Sequence, residues 1–185
     1  RRNFIIFHLY GQHAAYGERH PAEFAKFKPC DIKNRLPLSK EQRGVVADYL
    51  NATLYNDFVV DSIISMFSNR NAIVMYFSDH GEEVYNYRLQ QGRTDLKTDD
   101  TRAMRYQLDI PFLIYVSPLY AARHPQEVER IRKSVNRPFM TDNLPQVIFD
   151  LLGVHTRYYK PSRSVINEKY HPQKHRKLQV GKLYD

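Results

Sequence analysis

Apolar and polar positions fall into blocks along this chain. Phe4-Ile5-Ile6-Phe7, running on to His8, is a short apolar run of β-forming residues and predicts a buried strand. Gly11, Gly17, Pro21, Pro29 and Pro37 then make residues 11–38 an irregular loop. Ser39 opens a helix, with Gln42 three residues on at the spacing of a capping box. That helix is expected to reach Asn69, with Val60, Ile63, Ile64 and Phe67 on one buried stripe and Val46, Tyr49 and Leu50 beginning a similar one. Residues 72–78 read as a second buried strand, residues 84–109 as a polar loop broken at Gly92, and Pro111–Val116 as a third strand. Helices are expected over Pro125–Val135 and Asp142–Leu152, with Asp142 as N-cap and Gly153 as the stop.

Strands alternating with helices imply an α/β layered sheet. The first strand, the long helix and the second strand form a βαβ unit, whose crossover makes its two strands parallel. Parallel neighbours put their carboxyl ends on one sheet edge, where open α/β sheets bind ligands. His8 closes the first strand and His13 lies in the loop after it; Asp79 and His80 follow the second strand. All four are therefore expected at the same edge.

Composition narrows the classes. At 185 residues the chain supports one core, and 42% hydrophobic with 26% charged residues excludes wholesale disorder. No stretch reaches the ~20 apolar residues of a membrane helix, and no secretory signal pattern opens the chain. The abrupt start at Arg1-Arg2 is the one expected of a piece of something longer. The single cysteine, Cys30, closes no internal disulfide and builds no zinc finger. The net charge of +8 is uneven: residues 155–182 hold Arg157, Lys160, Arg163, Lys169, Lys174, Arg176, Lys177 and Lys182 against Glu168 alone. This block reads as a solvated basic tail, with His155, His171 and His175 exposed in it. Asp57 and Asp61 read as structural carboxylates of the long helix.

Imidazole and carboxylate are zinc ligands. Asp79 and His80 are adjacent, which suits ligation where the backbone turns sharply, and Gly81 supplies that freedom. Glu82 and Glu83 either orient a ligating histidine or begin a solvated segment.

These residues carry a resemblance. Phe77-Ser78-Asp79-His80-Gly81-Glu82 resembles the metal-binding segment of sulfatase-like enzymes of the alkaline phosphatase superfamily. Within it the chain is most similar to the phosphoethanolamine transferases that modify lipid A or lipopolysaccharide core. His8-Leu9-Tyr10-Gly11-Gln12-His13 resembles their histidine segment, and Tyr16 to Phe24, with Arg19, His20 and Pro21, the run that follows. Tyr55-Asn56-Asp57, Ile110-Pro111-Phe112 and Thr141-Asp142-Asn143-Leu144-Pro145 match further landmarks in order, so the likeness covers nearly the whole chain.

The resemblance implies a three-layer alkaline-phosphatase-like α/β sheet with helices on both faces, truncated at its N-terminal side, with residues 1–185 as the C-terminal part of the catalytic domain. It implies one or two zinc ions, Asp79 and His80 as metal ligands, and His13 and His8 as catalytic groups that protonate a leaving group or hold a second metal. His13 is the better matched of the two. The implied partners are a phosphatidylethanolamine donor, a lipopolysaccharide acceptor and a membrane surface, with no nucleic acid. The implied location is the periplasmic side of a bacterial inner membrane.

A threonine nucleophile activated by zinc and a glutamate ligand lie upstream of the histidine segment in the family, so the piece alone is expected to be inactive. Where lipid A enzymes carry a further histidine, this chain reads Gln90-Gln91-Gly92-Arg93-Thr94. Arg93 is then a phosphate contact rather than a ligand, which favours the core-modifying branch or a related bacterial branch. Cys30 has no nearby partner, so the disulfides of lipid A relatives are not expected. Rival readings are a sulfatase or phosphodiesterase, both hydrolases, a phosphoglycerol transferase, and a basic nucleic-acid-binding domain, for which no recognition signature is present.

Overall fold

The capping box sets the start of the longest element. In the computed structural model the Ser39 amide donates to Gln42 Oε1 at 2.9 Å and the Gln42 amide donates to Ser39 Oγ at 3.2 Å. Two of the helix's orphan donors are thereby satisfied, and α1 runs from Lys40 to Met66. The structure describes residues 3–93 and 100–172, and the backbone of 176–177 and 183–184. His175, Lys174, Lys182 and Thr94 lie outside the described residues.

The chain divides into two compact units. The first holds residues 3–66, 81–93 and 105–109. Its core is Tyr16, Ala52 and Val84, with Val45, Val46, Tyr49 and Tyr85 packed against it. The buried face of α1 is Ala47, Asn51, Ala52 and Asn56, small or amide side chains that let loop backbone approach closely. Asn51 uses both ends of its amide: Oδ1 accepts from the Phe27 amide at 2.8 Å and Nδ2 donates to the Phe27 carbonyl at 3.0 Å. A buried polar side chain paired in this way fixes the loop over residues 24–28 on the helix. The expected stripe at Val60, Ile63 and Ile64 is only half-buried.

In the same unit, β2 (Glu83–Val84) and β3 (Gln91–Gly92) form a small antiparallel hairpin pairing Glu83 with Gly92. Gly92 takes φ +83°, the left-handed region glycine tolerates. This hairpin and α2 (Thr101–Leu108) occupy the stretch expected to be a loop. Its polar composition hid the period-3.6 pattern.

In the second unit, β1 (Ile73–Phe77) pairs with β4 (Phe112–Val116). The pairing is antiparallel, with Met75 opposite Ile114. Ile73, Met75, Ile114 and Val116 pack on Ile131, Val147, Val165 and Ile166. The helices are α3 (Pro118–Arg123), α4 (Pro125–Ser134) and α5 (Leu144–Leu152). Ser117, fully buried, caps α3 through the Tyr120 amide at 3.1 Å, accepts from the Ala72 amide at 3.2 Å and donates to the Arg70 carbonyl at 2.6 Å. Gly153 ends α5 at φ 63° as expected. A last antiparallel pair joins β5 (Arg176–Lys177) and β6 (Leu183–Tyr184).

Four expectations are corrected. Residues 4–8 form no strand, and Phe4 to Phe7 are exposed, Ile6 by 75%. An apolar run becomes a strand only where a neighbour closes its backbone hydrogen bonds, and none of the described strands pairs with it. The parallel βαβ unit therefore falls: all described strand pairs are antiparallel. The crossover rule holds only for two strands of one sheet. Asp142 is not the cap of α5; it lies in a single preceding turn, Thr141–Asn143, and Asn143 occupies the cap position. Residues 155–172 are no loose tail, because Ser164, Val165 and Ile166 are buried and the two apolar ones sit in the core.

Candidate functional site

The histidine segment belongs to the first unit. Gly11 takes φ +53°, which turns the chain between His8 and His13. The turn closes with the His13 amide donating to the Tyr10 carbonyl at 3.3 Å. Gln12 Nε2 donates to Thr53 Oγ1 of α1 at 3.0 Å, and the Tyr10 and His13 rings lie 5.3 Å apart. Arg19 folds back beneath the segment: its guanidinium donates to the Ala14 and His13 carbonyls and lies 4.4 Å over the Tyr10 ring. His8 and His13 are exposed. Beside them is an open cleft of about 470 Å³ lined by Leu9, Tyr10, Gly11, Arg19, Tyr55 and Asn56, among other residues.

Tyr16 anchors this loop, and no sequence signal marks it beyond its place in the resembling run. It is buried, its ring meets Tyr49 edge-on at 5.1 Å, and its hydroxyl donates to Glu82 Oε1 at 3.1 Å. Burial, and then the Glu82 carboxylate beside it, push the Tyr16 phenol well above the ordinary tyrosine range.

Asp79 and His80 leave the end of β1 in the second unit. The His80 amide donates to Asp79 Oδ1 at 3.1 Å, and Ser78 Oγ donates to the His80 carbonyl at 2.8 Å. Asp79 Oδ2 stands 3.7 Å from His80 Nε2, with Asp79 87% and His80 30% exposed. Gly81 then runs against the end of α2. Its amide donates to the Gln107 carbonyl at 2.9 Å. A Cβ there would overlap the Tyr106 carbonyl oxygen and stand 2.9 Å from that of Asp109. The glycine is required by close approach of backbone, not by its φ.

Glu83 is 0% exposed and takes a bidentate fork from Arg88, at 2.9 Å and 3.1 Å from Nε and 2.7 Å from Nη2. Gln107 Nε2 adds a contact at 3.4 Å. The pair locks the hairpin that follows the Asp79-His80 turn. The open reading of Glu83 as the solvated start of a segment is therefore corrected. Arg93 follows directly after β3, and it is exposed.

The structure thus brings Asp79 and His80 together as a donor pair, and His8 and His13 to one exposed loop. Among the described residues no group of three or more His, Cys, Asp or Glu side chains is placed to hold a metal. Cys30 is an exposed free thiol. No described helix is long and apolar enough to cross a membrane.

The family model described as Sulfatase matches residues 1–154. Phosphoethanolamine transferase EptC of Escherichia coli is 36% identical over 171 residues, covering 91% of this chain and 29% of that protein. The crystal structure of the C-terminal periplasmic domain of EcEptC from Escherichia coli superposes with TM-score 0.76 at 36% identity, covering 90% of this chain and 46% of that one. The same domain in complex with Zn gives TM-score 0.75 at 36% identity, covering 88% and 44%. The chain spans under a third of the curated relative's length and under half of the solved domain. Its α/β fold is that of the solved periplasmic domain, and the chain belongs to the sulfatase family, with phosphoethanolamine transferases as close homologues.

Proposed function

We propose that this chain is the C-terminal part of a sulfatase-like catalytic domain, and that the longer protein is a zinc-dependent phosphoethanolamine transferase. The donor is phosphatidylethanolamine, and the acceptor is lipopolysaccharide, at a core sugar or lipid A. The observation that carries this reading is the Asp79–His80 pair, accessible and held at 3.7 Å, in a chain whose homologues are phosphoethanolamine transferases.

The pair fits zinc. Two ligands of a tetrahedral zinc at bond lengths of about 2.0–2.1 Å stand roughly 3.4 Å apart, close to the separation found. Two ligands are half of a set, so the glutamate and threonine of the family are supplied by residues preceding His8 in the longer protein. The piece alone is inactive and holds zinc poorly. When bound, zinc supplies Lewis-acid polarisation of the phosphoryl oxygens and lowers the pKa of a hydroxyl nucleophile.

The residues of this chain do the rest. Arg93 holds two phosphoryl oxygens with its planar fork, and His13 contacts a third. As the threonine oxygen bonds to phosphorus and the bond to the diacylglycerol oxygen breaks, His13 gives that oxygen its proton, with His8 as the second acid–base group. In the return step an acceptor oxygen bonds to phosphorus, the threonine bond breaks, and the acceptor's proton restores the imidazole. The reaction occurs in the periplasm, with the longer protein tethered to the inner membrane by helices outside this chain.

The test uses the longer protein with phosphatidylethanolamine labelled in its ethanolamine and lipopolysaccharide as acceptor. His80→Ala and Asp79→Ala abolish label transfer, and His13→Ala lowers it about 10²–10⁴-fold. Unchanged transfer in His80→Ala, or wild-type hydrolysis of a sulfate ester with no transfer, overturns the proposal.

A further inference from the structure

Residues 155–171 carry Arg157, Lys160, Arg163 and Lys169 against Glu168, and all four cations are exposed. Buried Ser164, Val165 and Ile166 root the segment in the second unit's core. Its chain folds back on itself. The His171 amide donates to the Ser162 carbonyl at 3.0 Å, and Asn167 Nδ2 donates to the Tyr159 hydroxyl at 3.0 Å. Gln146 of α5 clamps the outer turn, accepting from the Lys160 amide at 2.6 Å and donating to the Tyr158 carbonyl at 3.2 Å. These bonds gather the four cations onto one fixed stretch.

Arg157 is further ordered against Tyr158. Its guanidinium carbon lies 4.8 Å over the ring, and Nη2 donates to the phenol oxygen. Tyr158 is itself 61% exposed and Val154 37%. Among the described residues none of the four cations is paired with a carboxylate. A protein surface leaves charges unneutralised at the expense of self-repulsion unless an opposite charge answers them. Cations interleaved with an exposed tyrosine and an aliphatic side chain are the composition that settles at a lipid headgroup layer, ring at the interface and charges on the phosphates.

We infer that the folded segment carrying Arg157, Lys160, Arg163 and Lys169, with exposed Tyr158 and Val154, docks on an anionic lipid bilayer. A nucleic acid is disfavoured because, of the four cations, only Arg163 lies in a described helix, the single turn Pro161–Arg163, which is too short to lie along a groove. The inference goes beyond the transferase reading and needs neither zinc nor donor.

The test is co-sedimentation of this chain with vesicles of phosphatidylcholine containing phosphatidylglycerol, at low and high salt, beside pure phosphatidylcholine vesicles, inorganic phosphate as competitor, and duplex DNA. Binding is expected to the anionic vesicles only and to fall as salt rises. Each of Arg157→Gln, Lys160→Gln, Arg163→Gln and Lys169→Gln weakens it about fivefold, and the quadruple variant several hundredfold. A control quadruple of Lys26→Gln, Lys28→Gln, Arg43→Gln and Arg132→Gln, equal in charge removed, keeps most of the affinity. Thermal melts of both quadruples read whether the fold is intact. Equal loss in the two quadruples means net charge alone and overturns the inference. So does full competition by inorganic phosphate, or binding to DNA but not to vesicles. A wild-type chain that binds no anionic vesicles while the longer protein still transfers label sinks this inference and spares the transferase; vesicle binding without label transfer does the opposite.

Discussion

Arg88→Met tests whether the buried ion pair holds the hairpin after Asp79-His80-Gly81. Glu83 is fully buried, and the fork from Arg88 provides three of its contacts at 2.7–3.1 Å; Gln107 contributes one more at 3.4 Å. Removing one partner of a buried pair costs about 3–5 kcal/mol, because the other charge is left uncompensated. The Arg88 side chain is 29% exposed, so water screens part of this, and about 2–4 kcal/mol is expected here. Arg88→Lys keeps the charge but not the fork and falls between. The double variant Arg88→Met with Glu83→Leu removes both charges and returns to within about 1 kcal/mol of wild type. Urea unfolding of the four chains, read by circular dichroism, forms the double-mutant cycle. A loss under about 0.5 kcal/mol for Arg88→Met, or a double variant as unstable as the single, refutes the assignment.

Gly81→Ala forces a Cβ onto the Tyr106 and Asp109 carbonyls; helix backbone cannot yield as a side chain tip can, so a loss of about 1–3 kcal/mol is expected in the same unfolding assay. Ser39→Ala removes the side-chain acceptor for the Gln42 amide and costs α1 about 1 kcal/mol. The raised phenol of Tyr16 means the fold favours its neutral form. Its contribution to stability is full below about pH 10, where unfolded tyrosine begins to ionise, and is lost as pH rises through the higher folded value. Tyr159, raised by burial and then by Asp150, acts in the same direction. Tyr16→Phe should therefore flatten, without abolishing, the fall in melting temperature above pH 10; an unchanged alkaline slope contradicts the assignment.

Local signals in the sequence predicted local structure well. Ser39 and Gln42 bond to each other as their spacing requires, β1 and β4 fall on the two apolar runs, and Gly153 stops its helix in the left-handed region. What failed depended on partners far along the chain. The run at residues 4–8 has the composition of a strand, yet no described strand pairs with it. Charge density around Val165 and Ile166 disguised two core residues as part of a tail. Asp79-His80-Gly81 was legible as a turn of ligand-type residues, but the reason for its glycine, the carbonyls at the end of α2, was not. The Tyr16–Glu82 and Arg88–Glu83 contacts follow no helical or strand spacing, so only the folded chain reveals them.

The decisive measurement is zinc content of the longer protein after gel filtration, by mass spectrometry of the metal, for wild type, Asp79→Ala, His80→Ala and the pair His155→Ala with His171→Ala. Zinc is expected in wild type and in the His155/His171 variant, and to be lost from both Asp79→Ala and His80→Ala. Full zinc in His80→Ala, or loss only in the His155/His171 variant, would contradict the assignment of Asp79 and His80 as the metal ligands of this chain.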